Sequence, residues 1–273
     1  YRVINTKYRR KLMKVSVLMP IYNTKEEYLR TAIESILNQT YKDYEFLIYD
    51  DASNIDLQSI VMSYNDERII YKKFEKNQGI SKIRNELVKD SRGEYLAIMD
   101  HDDISLPERF EKQVKLLDNN PNIGVVGCWH GFVGNNKIFK RPVSNKEIKN
   151  IIFWECPLHH PATMLRKSVL IENNIIYEEK YSPAEDFALW VYLFDKTDFY
   201  NIPEVLFIYR NNYENTTTVQ NIKMEIGINN VLNHLITSHP REYERAEITK
   251  EEYDLELQKQ DLYSQYELSL IHI

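Results

Sequence analysis

The sequence predicts an α/β fold, a mostly parallel central sheet flanked by helices, with a helical C-terminal extension. Three observations predict it. Short β-branched apolar runs alternate with helix-period patterns over about the first 120 residues. Several of these runs end in polar or acidic residues. From about residue 221 the chain turns polar and helical in pattern.

The elements follow in order. Val15 to Ile21 is apolar and β-branched and stops at the turn formers Asn23 and Thr24, a buried strand. Thr24 and Glu27 fit a capping box opening a helix, with Leu29, Ala32, Ile33, Ile36 and Leu37 on one face. Glu45 to Asp50 reads as the next strand, and Ile69 to Phe74 as another. Gly79 precedes a helix with Ile80, Ile83 and Leu87 on one side. Glu94 to Met99 is a strand that runs into Asp100, His101, Asp102 and Asp103. Ser105, Pro107 and Glu108 open a helix with Pro at its first position, striped by Phe110, Val114 and Leu117. Ile123 to Trp129 is a strand, Ser182 to Phe194 a helix and Val205 to Tyr209 a last strand.

Composition sets outer bounds. The chain has 273 residues, 43% hydrophobic and 28% charged, with a formal net charge of -6. That is a globular balance, without the basic excess of a nucleic-acid binder. Cys128 and Cys156 are the only cysteines, too few for a disulfide framework, so a reducing compartment is expected. No apolar run approaches the ~18 residues of a membrane span, and no signal peptide is read. The expected location is cytoplasmic, with the basic group from Lys7 to Lys14 a candidate for peripheral contact at the inner face of the membrane. The C-terminal helices are a candidate surface for homo-oligomer contact.

Parallel sheets bind ligands outside the carboxyl ends of their strands. Here those ends carry Tyr22 and Asn23, Asp50 and Asp51, and Asp100 to Asp103. Three carboxylates within four residues repel one another unless a cation neutralises them. Oxygen ligands suit Mg2+ or Mn2+, which could grip a diphosphate between the protein and the ion. A helix cap or a solvated acidic turn is the alternative reading of the same residues.

The blocks VSVLMPIYNT, SILNQTYKDYEFLIYDDAS and NQGISKIRNELVKDSRGEYLAIMDHDD resemble the family 2 glycosyltransferases of the GT-A fold, over roughly Val15 to Arg210. The resemblance implies an inverting, metal-dependent hexosyl- or N-acetylhexosaminyl-transferase. It would move a sugar from a nucleotide-diphosphate donor, a UDP-sugar by family habit, to a hydroxyl of a saccharide or glycoconjugate acceptor in cell-surface synthesis. It implies Pro20 and Tyr22 near the base, Asp51 accepting from the uracil imide with Asp50 in support, and Asn77, Gly79 and Arg84 in the donor site, Arg84 on phosphate. Asp100 and Asp102 match the ribose and metal motif, with Asp102 and Asp103 expected nearest the metal. His160, beside His159 in LHHPATMLRKSVL, would line the acceptor side. The chain then divides into a leader (1–13), a transferase domain (14–220) and a helical extension (221–273). Within the domain, a nucleotide-binding half ends near residue 120.

The family places its catalytic carboxylate at an E-D pair, here in YSPAEDFALW. Ser182, Pro183 and Glu185 fit a capping box with Pro at the first helical position. That occupies Glu185 and leaves Asp186 as the expected general base, with Glu185 the alternative. Relatives that carry a histidine after the final Y-R differ from this chain, where Tyr209 and Arg210 lead into NNYENTTT. No Q-x-x-R-W block is present, which favours single-sugar transfer over polymer synthesis. Two other classes compete: a nucleotide-sugar-binding protein that has lost catalysis, and a metal-dependent phosphohydrolase.

Overall fold

The computed structural model describes residues 13–210, 221–246 and 255. Strands β1 (Met13–Ile21), β2 (Tyr44–Asp50), β3 (Ile69–Lys73) and β4 (Gly93–Ile98) alternate with helices α1 (Glu26–Leu37), α2 (Leu57–Met62) and α3 (Ile80–Asp90). A two-residue strand β5 (Ile104–Ser105), helix α4 (Arg109–Asn119), hairpin β6 (Ile123–Phe132) and β7 (Asn135–Phe139), and helix α5 (Asn145–Ile151) follow. Then come β8 (Met164–Arg166), α6 (Lys167–Glu172), α7 (Glu185–Leu193), β9 (Asp198–Tyr209), α8 (Asn221–Ser238) and α9 (Pro240–Glu244).

All nine strands join one sheet in the order β3-β2-β1-β4-β8-β6-β9-β5, with β7 added to β6. The pairs β3/β2, β2/β1, β1/β4 and β6/β9 are parallel. Strand β8 lies antiparallel to both β4 and β6, so β6 and β9 run in the direction of β1 to β4. Only β5, β7 and β8 oppose them. The carboxyl ends of β1, β2, β4, β6 and β9 therefore lie along one edge of the sheet.

The period-2 alternation of the strands feeds two cores. Val15, Val17, Met19 and Ile21 of β1 pack with α1, α2 and α4. Leu18 of the same strand packs on the opposite face with α3, α5, α6, α7 and α8. The expected faces of α1, α3 and α4 are buried except at their ends, where Leu37 and Ile80 are only half-buried.

Several expected helix starts differ. Helix α1 begins at Glu26, after Lys25, with no side-chain cap; Thr24 is buried and its hydroxyl has no protein partner. Glu26 and Glu27 in the first turn complement the positive end of the helix instead. Pro107 precedes α4 by one residue rather than opening it, and Ser105 belongs to β5, paired with Phe207. Helix α7 is covered all round, not on one face, because α8 closes its other side with Val231 and Leu235. Within the described residues, α8 thus packs one face into the chain's own core through Val231 and Leu235 and leaves Ile222 and Ile226 exposed. The basic leader up to residue 12 and the stretch 211–220 fall outside the described residues.

Candidate active site

The loops after β1 and β2 build the first part of the carboxyl edge. Asn23 and Ala52 both adopt left-handed backbone conformations, with φ of 48° and 64°. The Asn23 amide donates to Ser53 Oγ at 2.9 Å, and the Asn54 amide donates to Asn23 Oδ1 at 2.8 Å. Clamped in this way, the loops leave the Tyr22 ring 45% exposed. Pro20 lies one turn of the pleat deeper, buried in β1 opposite Tyr49.

Asp50 is fully buried and structural in its bonding. It accepts from the Ser53 amide at 2.8 Å and from the Tyr71 hydroxyl at 2.8 Å. Asp51 accepts from the Gln78 amide at 2.6 Å and the Gly79 amide at 2.9 Å, and Asn77 Nδ2 donates to its carbonyl at 3.2 Å. Asp51 thereby holds the loop that starts α3, a loop that needs the φ of +85° at Gly79. Each of its oxygens retains a lone pair for a further donor.

Arg84, on the buried side of α3, is placed differently from expectation. Its guanidinium bonds Glu185 Oε1 at 2.6 Å and reaches Asp100 Oδ1 at 3.4 Å, lying over the Tyr177 ring. Burial opposes its charge, but Glu185 and Asp100 outweigh that cost and raise its pKa. The cation thus joins the end of β4 to the start of α7.

The acidic cluster divides by direction. Asp100 and Asp102 are partly exposed. Asp103 is fully buried and accepts from the Arg210 amide at 2.8 Å, while its Oδ2 has no protein partner. Burial, then the charges of Asp102 and Asp100, push its pKa well up. Of the two carboxylates expected nearest the metal, Asp103 thus faces inward and Asp102 stays partly open. Arg210 Nε also donates to the Asp102 carbonyl at 2.8 Å, tying the end of β9 to the cluster. Among the described residues no group of three His, Cys, Asp or Glu side chains encloses a metal site by itself. The outward carboxylates of Asp100 and Asp102 nonetheless fit a hard cation that takes one or two protein oxygens and completes its shell with phosphate and water.

The start of α7 supplies the remaining carboxylate. The expected capping box is not formed: Ala184 is the N-cap, without a side-chain bond, and Glu185 is paired with Arg84. Asp186 stays partly exposed, and its Oδ1 accepts from the Phe187 amide at 2.7 Å. Burial, then the neighbouring Glu185, raises its pKa to about 6, against the opposing pull of Arg84. So Glu185 is engaged by an ion pair, not by a cap.

His160, expected on the acceptor side, is 2% exposed. Its Nε2 bonds the Tyr177 hydroxyl at 2.9 Å and its ring packs near Trp190. It is a core residue here. His159 is the more open of the two and stacks on His130 at 4.1 Å. Tyr177 and Arg210 were not expected as site residues. The only sequence signal for Arg210 was its place at a strand end, and Tyr177 carried none.

A family model described as Glycosyl transferase family 2 matches residues 16–173. The chain belongs to this family. An uncharacterised glycosyltransferase of Methanocaldococcus jannaschii (MJ1057) is 40% identical over 185 residues, 65% of this glycosyltransferase and 63% of that protein. One from Haemophilus influenzae is 30% identical over 221 residues, 76% and 68% of the two chains. The chain spans less than two thirds of the length of the first of these, and about a third of an uncharacterised Rickettsia bellii glycosyltransferase. The fold matches Staphylococcus aureus TarS in complex with UDP-GlcNAc, with TM-score 0.67 at 19% identity, over 87% of this chain and 68% of that one. It also matches the Pyrobaculum calidifontis mannosyltransferase PcManGT, in complex with GDP-Man and Mn2+, with TM-score 0.60 at 17% identity, over 96% and 81%. The glycosyltransferase therefore has the GT-A fold. The span matched by the family model ends near the close of α6, before Glu185 and Asp186.

Proposed function

We propose that this glycosyltransferase transfers one sugar, with inversion, from a UDP-sugar to a hydroxyl of a saccharide or glycoconjugate acceptor, with Mn2+ or Mg2+ at Asp100 and Asp102. The observation that carries the reading is the Arg84 bridge. One buried cation holds both Asp100, just past the end of β4, and Glu185, next to Asp186. Donor-binding and proton-accepting carboxylates are thus fixed relative to each other by a single side chain.

In this reading Tyr22 stacks on the base and Asp51 accepts the imide N–H with its remaining lone pairs. When bound, the cation neutralises charge on the departing diphosphate. Asp186 takes the proton from the acceptor hydroxyl as that oxygen attacks the anomeric carbon from the face opposite the diphosphate, which inverts the centre. A base with a pKa near 6 is ionised at neutral pH yet basic enough to share a proton in the transition state. Action on cell-surface polysaccharide precursors, in the cytoplasm or at the inner face of the membrane, suits the absence of any described helix long and apolar enough to cross a membrane.

The test is incubation with UDP- and GDP-sugars, with and without Mn2+, scoring donor hydrolysis separately from transfer to a saccharide panel. Transfer dependent on Mn2+ is expected. Donor binding without turnover would instead indicate a binding protein, and hydrolysis of simple phosphoesters a phosphohydrolase.

A further inference from the structure

The carboxyl edge of the sheet carries a second feature that the donor site does not use. Six rings converge where β6, β7 and β9 lie side by side. In the strand register His130 stands opposite both Phe139 and Phe207, and Phe132 opposite Tyr209, so these five side chains share one face. His159 covers them. It stacks on His130 at 4.1 Å and 21° and meets Tyr209 edge-on at 5.0 Å. His130 also stacks on Phe139 at 5.4 Å and 14°.

The arrangement has a floor and a rim. His130 and Phe207 are 3% and 0% exposed. Phe132, Phe139, His159 and Tyr209 are only partly covered. A ring cluster that only filled the core would be closed over; this one reaches solvent at the end of the strands where ligands of such sheets bind. Two of its buried polar atoms, His130 Nδ1 and His159 Nε2, have no partner within the protein, and buried ring nitrogens ordinarily have one.

Its position fixes what it can meet. Across the sheet it lies on the far side of β4 from the nucleotide loops of β1 and β2. On one side Tyr209 continues into Arg210, which bonds Asp102 and Asp103. On the other, Arg141 lies over the Phe139 ring and bonds the Cys156 carbonyl. The rings therefore adjoin the acidic cluster through Arg210. Burial holds both imidazoles neutral, so the six rings carry no formal charge.

We infer that this ring patch is an acceptor subsite and that the acceptor presents an uncharged pyranose to it, C–H face against the rings. This rests on the transferase reading above and adds the acceptor's chemical class and its binding surface. Uncharged rings favour a flat hydrocarbon face, and the carboxylates reached through Arg210 disfavour an anionic sugar against the opposing charge of Arg141 at the Phe139 edge.

The test is saturation-transfer NMR on the full chain with UDP and Mn2+, using methyl glycosides of neutral hexoses and methyl glucuronide as probes. Saturation of aromatic protons should pass to the ring C–H protons of at least one neutral glycoside and not to the glucuronide. Tyr209→Ala and Phe132→Ala should each weaken that glycoside on the order of ten-fold, the scale of one lost ring contact. Tyr209→Phe should retain it, and UDP affinity should not change in any of the three. Unchanged glycoside affinity in both alanine variants overturns the assignment, as does preference for the glucuronide or no glycoside binding by a wild type that binds UDP. A wild type that does not bind UDP strikes at the transferase reading instead.

Discussion

Asp186 is the residue at which local environment and chemistry meet most directly. Its carboxyl is shifted from 3.8 to about 6 by burial and by Glu185. A base must be unprotonated to act, so kcat should be flat above pH 6 and fall about ten-fold per pH unit below it. The stability consequence has the opposite sense. The folded chain binds this proton more tightly than the unfolded chain, so the charged form costs stability, and that cost fades as pH falls from about 6 towards 4. Asp186→Asn should therefore abolish transfer while sparing donor binding, and should raise the melting temperature at pH 7.5 more than at pH 5. Near-normal transfer by that variant would move the base elsewhere. Arg84 makes a second prediction. Arg84→Met leaves Glu185, 4% exposed, without its cation and should cost about 3–5 kcal/mol in chemical denaturation. Adding Glu185→Gln should recover most of the stability but not the rate, because the link to Asp100 stays broken.

At the scale of elements, the pair α7 and α8 matters most. Gly227 of α8 passes so close to the turn before α7 that an added Cβ would sit 3.0 Å from Ala184 Cβ and 3.1 Å from the Tyr181 carbonyl oxygen. Ala184 is the N-cap from which Asp186 is placed. Gly227→Ala must push these backbones apart by a few tenths of an ångström, and Gly227→Val by more, at about 1–3 kcal/mol. Because the turn carries the base and not the donor loops, kcat should drop while the KM for the donor stays within two-fold, on the order of the unperturbed site. Equal loss of donor affinity in steady-state kinetics would show that α8 supports the fold generally rather than the base.

At the scale of the whole molecule, two arginines tie the two halves of the sheet together. The proposed donor loops hang on β1, β2 and β4, and the proposed base and the ring patch on α7, β6 and β9, with Arg84 and Arg210 as the polar links between them. Ligand that binds only the folded chain stabilises it by mass action. UDP at about 100 times its Kd should add about 2.7 kcal/mol, a rise of roughly 5–10 °C in melting temperature by thermal shift. The rise should require Mn2+ or Mg2+ and should vanish in Asp102→Asn. A full shift in the presence of a chelator would remove the metal from the donor site.

The amino-acid sequence by itself determined the βα alternation, the strand ends that carry Tyr22, Asp51 and Asp100 to Asp102, and the buried stripes of α1, α3 and α4. These are local properties, set by side-chain period and by where an apolar run stops. Only the tertiary structure decided the partners of the polar side chains. Glu185 fits a cap by spacing, yet it pairs with Arg84 from 101 positions away. Asp103 sits in an acidic motif, yet it faces the Arg210 amide. His160 sits beside a more open histidine, yet it faces Tyr177 in the core. Which way a charged or ring side chain turns is set by desolvation and by whatever long-range neighbour compensates for it, and no local spacing encodes that neighbour.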